Sequence, residues 1–337
     1  MRRGAVVVTY NSGGHIGECL DALRLREPEM PVVVVDNAST DQTAAEARLR
    51  TWAKFVWNSE NRGFAAAVNQ GFEMLPECEL VLVLNPDAIV QTNLDGLAAE
   101  FEDPKTGACG GRLLDVSGQP QTGFEIRRFP TAAALAFETL GLNRLWPSNP
   151  VNRRFRCLDS DTSSPRDAEQ PAGAFLMIRR NAWRSAGGFD EGFHPVWFED
   201  VDFLKRISDA GWRIRFTPLA KAAHAGGHSV GRMKTVDRAP AWYGSLLRYT
   251  CRHCSYAGRF AVCCAVMAGA MPRAVVDAFK SKSSAPFSVY VKVMRIAWSA
   301  LSHGRKDGRD RVVLRPALPA GVGQYEKLVN SGDRSPH

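Results

Sequence analysis

An α/β fold, a mostly parallel twisted sheet with helices on both faces, is predicted by three features of the sequence. Short β-branched runs recur through residues 1–102, each followed by a stretch with helical spacing. The run LVLVL at 80–84 is apolar throughout, as in a strand covered on both faces. Several runs end in polar residues, at Thr9-Tyr10-Asn11, Asp36-Asn37 and Asn85-Pro86-Asp87. In open parallel sheets, ligands bind beyond the carboxyl ends of the strands.

The elements follow in order. GAVVVTY (4–10) is read as a strand and 13–26 as a helix. PVVVVDN (31–37) is the second strand, and the helix over 39–50 has Ser39 or Thr40 to cap it. KFVWN (54–58) is a short third strand, followed by an alanine-rich helix at 62–75. ELVLVLN (79–85) is the fourth strand, with a helix at 94–102. Residues 103–170 are less regular, a strand and turn followed by loop. Order resumes with a strand leading into a short helix at 173–183. A helix at 199–212 carries Val201, Leu204 and Ile207 on one face, and a strand follows at 213–218.

The chain has 337 residues and a net charge of +8, unevenly spread. Residues 1–224 hold 25 Lys and Arg against 29 Asp and Glu, whereas residues 225–315 hold 16 against 4. Any anionic partner therefore meets the C-terminal segment. The eight cysteines and the short apolar stretch after Met1-Arg2-Arg3, too short for a secretory signal, lead us to expect reduced thiols in the cytoplasm. CRHC (251–254) has zinc-like spacing but lacks a second pair.

Three groups could carry chemistry. Pro86 fixes its own φ and biases Asn85 toward extended backbone, so Asp87 stands on a rigid corner. It is either a turn aspartate tying down its own backbone or a cation ligand. A diphosphate leaving group needs its charge offset, and Mg2+ or Mn2+ held by one or two carboxylates does this. Asp36 stands where α/β folds bind a ribose hydroxyl or base edge. SGGHIG (12–17) misses the dinucleotide fingerprint by one glycine, which keeps a nicotinamide dehydrogenase in view, but such an enzyme does not need Asn85-Pro86-Asp87.

The second group is Glu199, Asp200 and Asp202, set among Phe193, Trp197, Phe198 and Phe203. Aromatic surroundings raise carboxyl pKa values, which suits a general base, but the three also fit helix-start acids favoured by the macrodipole. The third is AKAAHAGGHS (220–229), where Gly226-Gly227 argue for a loop. His224 and His228 there are metal ligands, phosphate donors or surface histidines.

Taken together and in order, these residues resemble the family 2 glycosyltransferases of GT-A fold, and within them bacterial rhamnosyltransferases and galactofuranosyltransferases. The motifs are VVTYNS (7–12), VVDNASTD (34–41), NRGFAAAVNQG (61–71), LNPD (84–87), AGAFLMIRR (172–180), GGFDEGFHPVWFEDVDF (187–203) and HAGGHS (224–229). The resemblance implies a Rossmann-like GT-A domain over 1–231, with a nucleotide-binding half to about 102 and an acceptor and catalytic half over 103–231. It implies that Thr9, Tyr10, Asn11, Asp36, Asn37, Asn61, Arg62, Gly63, Phe64, Asn69, Asn85 and Trp197 bind the nucleotide sugar. Asp87 matches the last acid of the family's D-x-D motif, and with His224 would hold Mg2+ or Mn2+. Asn85 departs from that motif, which removes one anionic ligand. Asp200 matches the catalytic base, with Glu199 beside it. Attack opposite the leaving group would invert the anomeric centre without a covalent intermediate.

The resemblance further implies a dTDP-L-rhamnose donor and a cell-surface or polyprenyl-linked glycan acceptor, as in O-antigen or cell-wall polysaccharide synthesis. Alternatives are a UDP-galactofuranose or UDP-hexose donor, or a catalytically silent sugar-nucleotide-binding subunit. The segment 232–315 is read as a basic, amphipathic helical extension. Its twelve consecutive apolar residues (260–271) are too few to span a bilayer and suit a helix lying in an anionic surface, at the inner face of the plasma membrane. An ordinary helical subdomain with a basic face fits the same composition. No nucleic-acid motif is present, a homo-oligomer is allowed, and 316–337 reads as a disordered tail.

Overall fold

Valine-rich runs pack on both faces of a pleated surface, and they form the centre of this molecule. The structure is a computed structural model and describes residues 1–226, 233 and 235–302. Strands β1 (Arg3–Thr9), β2 (Val32–Asp36), β3 (Lys54–Trp57) and β4 (Leu80–Leu84) lie parallel in the order β3-β2-β1-β4. Helices α1 (Ile16–Arg26), α2 (Thr43–Arg48) and α3 (Phe64–Glu73) connect them. Alternation along β1 sends Ala5 and Val7 into a core with Ile16, Leu20 and Leu23 of α1. Val6 and Val8 enter the opposite core with Val68 and Phe72 of α3. The sheet is thus wound on both faces. α3 sits so close to β1 that a Cβ at Gly71 would lie 2.4 Å from Val6 Cγ1.

The chain then turns at Asn85-Pro86-Asp87 into β5 (Ala88–Val90), α4 (Asp95–Ala99) and β6 (Thr106–Leu114). β7 (Ile126–Arg127) pairs with β9 (Gln170–Pro171), and β8 (Arg166–Asp167) pairs with the last strand. β10 (Phe175–Arg179) inserts antiparallel between β4 and β6. β11 (Arg213–His224) runs parallel to β6, shifts register between Thr217 and Lys221, and meets β5 antiparallel. The result is one nine-stranded sheet, mostly parallel. Between the strands lie α5 (Ala132–Leu140), α6 (Leu142–Leu145), α7 (Pro150–Phe155), α8 (Arg180–Ser185) and α9 (Glu199–Asp209).

Several expectations need correction. α2 starts at Thr43, because the Ser39 hydroxyl and N–H are both spent on the Asp36 carboxylate rather than on a helix end. The strand expected after residue 103 is the nine-residue β6, but the loop reading of the rest of 103–170 missed three helices. Packing requires the glycines of β6: a Cβ at Gly111 would lie 2.3 Å from the Phe175 ring. The last strand runs on to His224, so that histidine ends a strand rather than sitting in a loop.

Three helices, α10 (Thr235–His253), α11 (Tyr256–Ser281) and α12 (Ala285–Ser302), make up the described part of the extension. They share a core with Leu135, Phe193 and Val201, residues of the sheet domain. Ion pairs lock the same contact. Asp190 accepts from Arg248 at 2.8 Å and from Arg252 at 2.8 Å. α11 corrects the expected length limit: it runs for 26 residues and is long and apolar enough to cross a membrane, by length and composition alone. One of its faces nevertheless packs against α5 and α12. His228, residues 303–315 and the 316–337 tail lie outside the described residues.

Candidate active site

The ends of β1, β2 and β4 share one edge, and a cleft of about 860 Å³ opens there. Left-handed residues at Asn11 (φ 52°) and Ala38 (φ 61°) turn the chain away sharply and leave the edge open. Tyr10, Asn11, Asn37 and Asn85 line this wall, with Asn61 and Phe64 beside them. The loop carrying Asn61 is fixed on both sides. Asn61 Oδ1 accepts from the Gly63 N–H at 2.9 Å, and the Phe64 N–H donates to Pro195 O at 2.8 Å. Gly63 has φ 85° and no room for a Cβ, which would meet His194 at 2.9 Å.

Asp87 and His224 meet in the cleft, with Oδ1 and Nε2 3.6 Å apart. The Gln121 amide donates to His224 O at 2.7 Å, which turns its Oε1 toward His224 Nδ1 at 3.1 Å. Nδ1 therefore carries the proton, and Nε2 presents a lone pair. Burial lowers the His224 pKa against the pull of Asp87, so the ring is neutral near pH 7. Nε2 is buried and has no hydrogen-bond partner among the described residues. A neutral imidazole and a carboxylate this close fit a divalent cation, since both would donate to it. Among the described residues no group of three or more His, Cys, Asp or Glu is gathered, so water and substrate would fill the other positions.

On another wall stand Trp197, Glu199 and Asp200. Trp197 (φ 84°) and Phe198 (φ 67°) are both left-handed, a conformation costing each about 1–3 kcal/mol and held by packing of Phe198 on Trp242 and Tyr249. This kink aims the start of α9 into the cleft. Asp200 accepts from the Val201 N–H at 2.8 Å and the Gly173 N–H at 3.1 Å. Burial pushes its carboxyl above the usual range, while these bonds and the Arg127 charge act the other way. Glu199 is pushed well above its ordinary value, by burial and then by the Asp200 charge. Asp202 differs: burial raises its pKa, but His253, Arg206 and Arg252 outweigh this and hold it below the usual range. It belongs to the contact with α10 (His253 Nε2 lies 2.8 Å from it), so the acidic triplet splits into two jobs.

Five residues expected to bind the nucleotide sugar, Thr9, Asp36, Arg62, Gly63 and Asn69, do not line the cleft. Asp36 accepts from the Thr9 hydroxyl at 2.8 Å and the Ser39 N–H at 2.9 Å, so Thr9 and Asp36 are buried and tie the strand ends together. Asn69 accepts from Trp183 at 3.2 Å and from the Phe189 N–H at 2.8 Å, a clamp on the 187–191 loop. Gly63 shapes its turn, and Arg62 is exposed on that loop. In the other direction, sequence reasoning missed Gln121, Phe124, Arg127, Arg156 and Gly173. The arginine-rich IRRF and NRRFR in an otherwise irregular stretch were the available signal.

The profile described as glycosyl transferase family 2 matches residues 5–161. An N-acetylglucosaminyl-diphospho-decaprenol L-rhamnosyltransferase of Mycobacterium tuberculosis is 30% identical over 277 residues, spanning 73% of this chain and 88% of the relative. The chain belongs to glycosyl transferase family 2. Rhamnosyltransferase WbbL of Escherichia coli is 22% identical over 257 residues, 73% of this chain and 92% of that one. Among solved structures, GalNAc-T7 with UDP, GalNAc and Mn2+ superposes with a TM-score of 0.52 at 17% identity. That match covers 75% of this chain and 50% of the neighbour, so this chain spans half the neighbour's length, and the likeness is one of fold. The glycosyltransferase thus has the GT-A fold, with a helical C-terminal extension.

Proposed function

We propose that this glycosyltransferase moves L-rhamnose from dTDP-L-rhamnose onto a polyprenyl-linked glycan precursor, with inversion. The observation that carries the reading is that one cleft receives Asp87 with His224 from one wall and Asp200 from another. Relatives named as rhamnosyltransferases supply the sugar, and one relative's name supplies the lipid-linked acceptor. Tyr10, Asn11 and Asn37 would face the nucleoside. Asp87 and His224 would hold a divalent cation, and the nitrogen ligand favours Mn2+ over the oxygen-seeking Mg2+. When bound, such an ion offsets charge on the departing diphosphate.

Asp200 takes the proton from the acceptor hydroxyl as its oxygen bonds to the anomeric carbon and the bond to the diphosphate breaks. Burial and the Asp200 charge favour the protonated form of Glu199, whereas the Val201 and Gly173 N–H groups and the Arg127 charge favour the carboxylate of Asp200. A thermal-shift panel of dTDP-rhamnose, UDP-sugars and GDP-sugars, with and without Mn2+, tests the donor. Stabilisation by dTDP-rhamnose of roughly 2.7 kcal/mol at about a hundred times Kd is expected. Stabilisation by a different nucleotide sugar alone rejects rhamnose.

The extension would rest on the inner face of the plasma membrane. Phe260, Met271, Val275 and Phe279 are exposed along one face of α11, Phe279 by 81%, and Lys280 and Lys282 at its end and Lys292 and Arg295 of α12 are exposed as well. An apolar stripe edged by cations suits an anionic surface. The wild type should float with phosphatidylglycerol vesicles and not with phosphatidylcholine. Flotation unchanged in Phe260→Ser/Phe279→Ser would reject this face.

A further inference from the structure

The cleft continues past Asp200 into a region that the donor reading does not use. Arg127 and Arg156 line it, together with Leu135, Phe155, Trp242 and Leu246. Arg127 Nε donates to Gly123 O at 3.0 Å, and its guanidinium lies over the Phe124 ring, 5.1 Å from the centroid. Its two terminal nitrogens have no hydrogen-bond partner among the described residues. Arg156 is half-buried: its Nε donates to Asn152 at 3.0 Å, and its nearest carboxylate, Glu138, is 3.9 Å away. Two arginines thus face the cleft with less anionic charge than they need, and a planar guanidinium with open N–H groups matches a phosphate oxygen pair.

The position of these arginines sets them on the acceptor side. Burial and the Arg156 charge push the Arg127 pKa down to about 10, and the opposing charges it feels are Asp200 and Glu138, not Asp87. Phe124 stacks on His224 at 5.4 Å, so its ring fills the space between the Asp87–His224 pair and the arginine. The apolar residues beyond come partly from α10, the first helix of the extension.

We propose that Arg127 and Arg156 form a subsite for a phosphate or diphosphate carried by the acceptor, placing the acceptor sugar's hydroxyl before Asp200. The apolar residues next to it take the first part of a hydrocarbon chain. This rests on the glycosyl-transfer reading, which supplies the acceptor, while the subsite itself is a matter of anion binding.

Calorimetric titration with inorganic pyrophosphate in EDTA reads the subsite directly, because no divalent ion can then draw the anion to Asp87. Wild type should bind, and Arg127→Met and Arg156→Gln should each weaken binding at least about tenfold, as for loss of a charge-assisted hydrogen bond. Arg156→Gln changes a half-exposed residue, and circular dichroism melting of both variants separates lost binding from lost folding. In steady-state kinetics the variants should raise KM for a short-chain polyprenyl-diphospho-N-acetylglucosamine, and leave KM for a neutral alkyl glycoside of the same sugar and for the donor unchanged. Undiminished pyrophosphate binding in both variants, or a donor KM that rises in step with the acceptor's, overturns the subsite. If no nucleotide sugar is turned over but pyrophosphate binding is lost in the variants, the subsite stands and the transfer reading falls. Transfer with unaltered pyrophosphate binding has the opposite meaning.

Discussion

Asp200 occupies the space where a side chain on residue 173 would be. A Cβ built on Gly173 would lie 2.8 Å from Asp200 Oδ2 and 3.0 Å from its Cβ. If Asp200 is the base, Gly173→Ala should therefore move it and lower kcat by about tenfold or more with donor binding kept, since close placement governs such steps. Equal kcat in the variant would show that Asp200 is not so held. Glu199 makes a second prediction. Its folded pKa lies well above 4.5, so folding favours the protonated form. The stability this contributes is complete below the unfolded pKa and is lost as pH rises toward the folded one. Glu199→Gln removes that loss. The variant's melting temperature should match wild type near pH 4 and exceed it near pH 7.5, while turnover falls. A melting temperature below wild type at the higher pH would contradict the buried, neutral Glu199. His224 has the reverse dependence: a lowered pKa means that Mn2+ binding, followed by calorimetry, should hold at pH 6.5 and fail only at lower pH.

At the scale of elements, α9 links chemistry to architecture. Its first residues face the cleft, and Asp202, one turn on, takes bonds from Arg206 at 2.7 Å, Arg252 at 3.1 Å and His253 at 2.8 Å. Asp202→Ala leaves three cationic or polar groups around an empty site, which should cost roughly 3–5 kcal/mol in urea unfolding. A loss under about 1 kcal/mol, the level of a surface pair, would mean the contact is solvated. The helix pair α11 and α5 is set by Gly269, where a Cβ would lie 2.3 Å from Thr139 O. Because the neighbour is backbone, Gly269→Ala should destabilise by about 1–3 kcal/mol. This scale also divides what could be read in the sequence from what could not. β1 to β4 and their helices were legible because valine runs and helical spacing report burial on both faces. The strand β6 was legible too, but α5 to α7 were not, since α5 finds its packing partner in α11, far along the chain. Asp87, Asp200 and His224 could be read from motifs, yet Arg127 and Gly173 could not, since their role comes from neighbours far along the chain.

For the whole molecule, the three C-terminal helices share a core with residues that carry the active-site wall, including Phe193 and Val201. The extension thus helps to shape the wall that carries Asp200, and its described helices, 235–302, hold 9 Lys and Arg against 2 acids. In the proposed function, donor and acceptor are held from different walls of one cleft. Measuring dTDP-rhamnose binding in Mn2+ and turnover side by side in Asp200→Asn tests this division of labour. Binding should equal wild type and turnover should fall at least about a hundredfold, the scale of a lost general base. Turnover equal to wild type, or donor binding lost together with it, would contradict it.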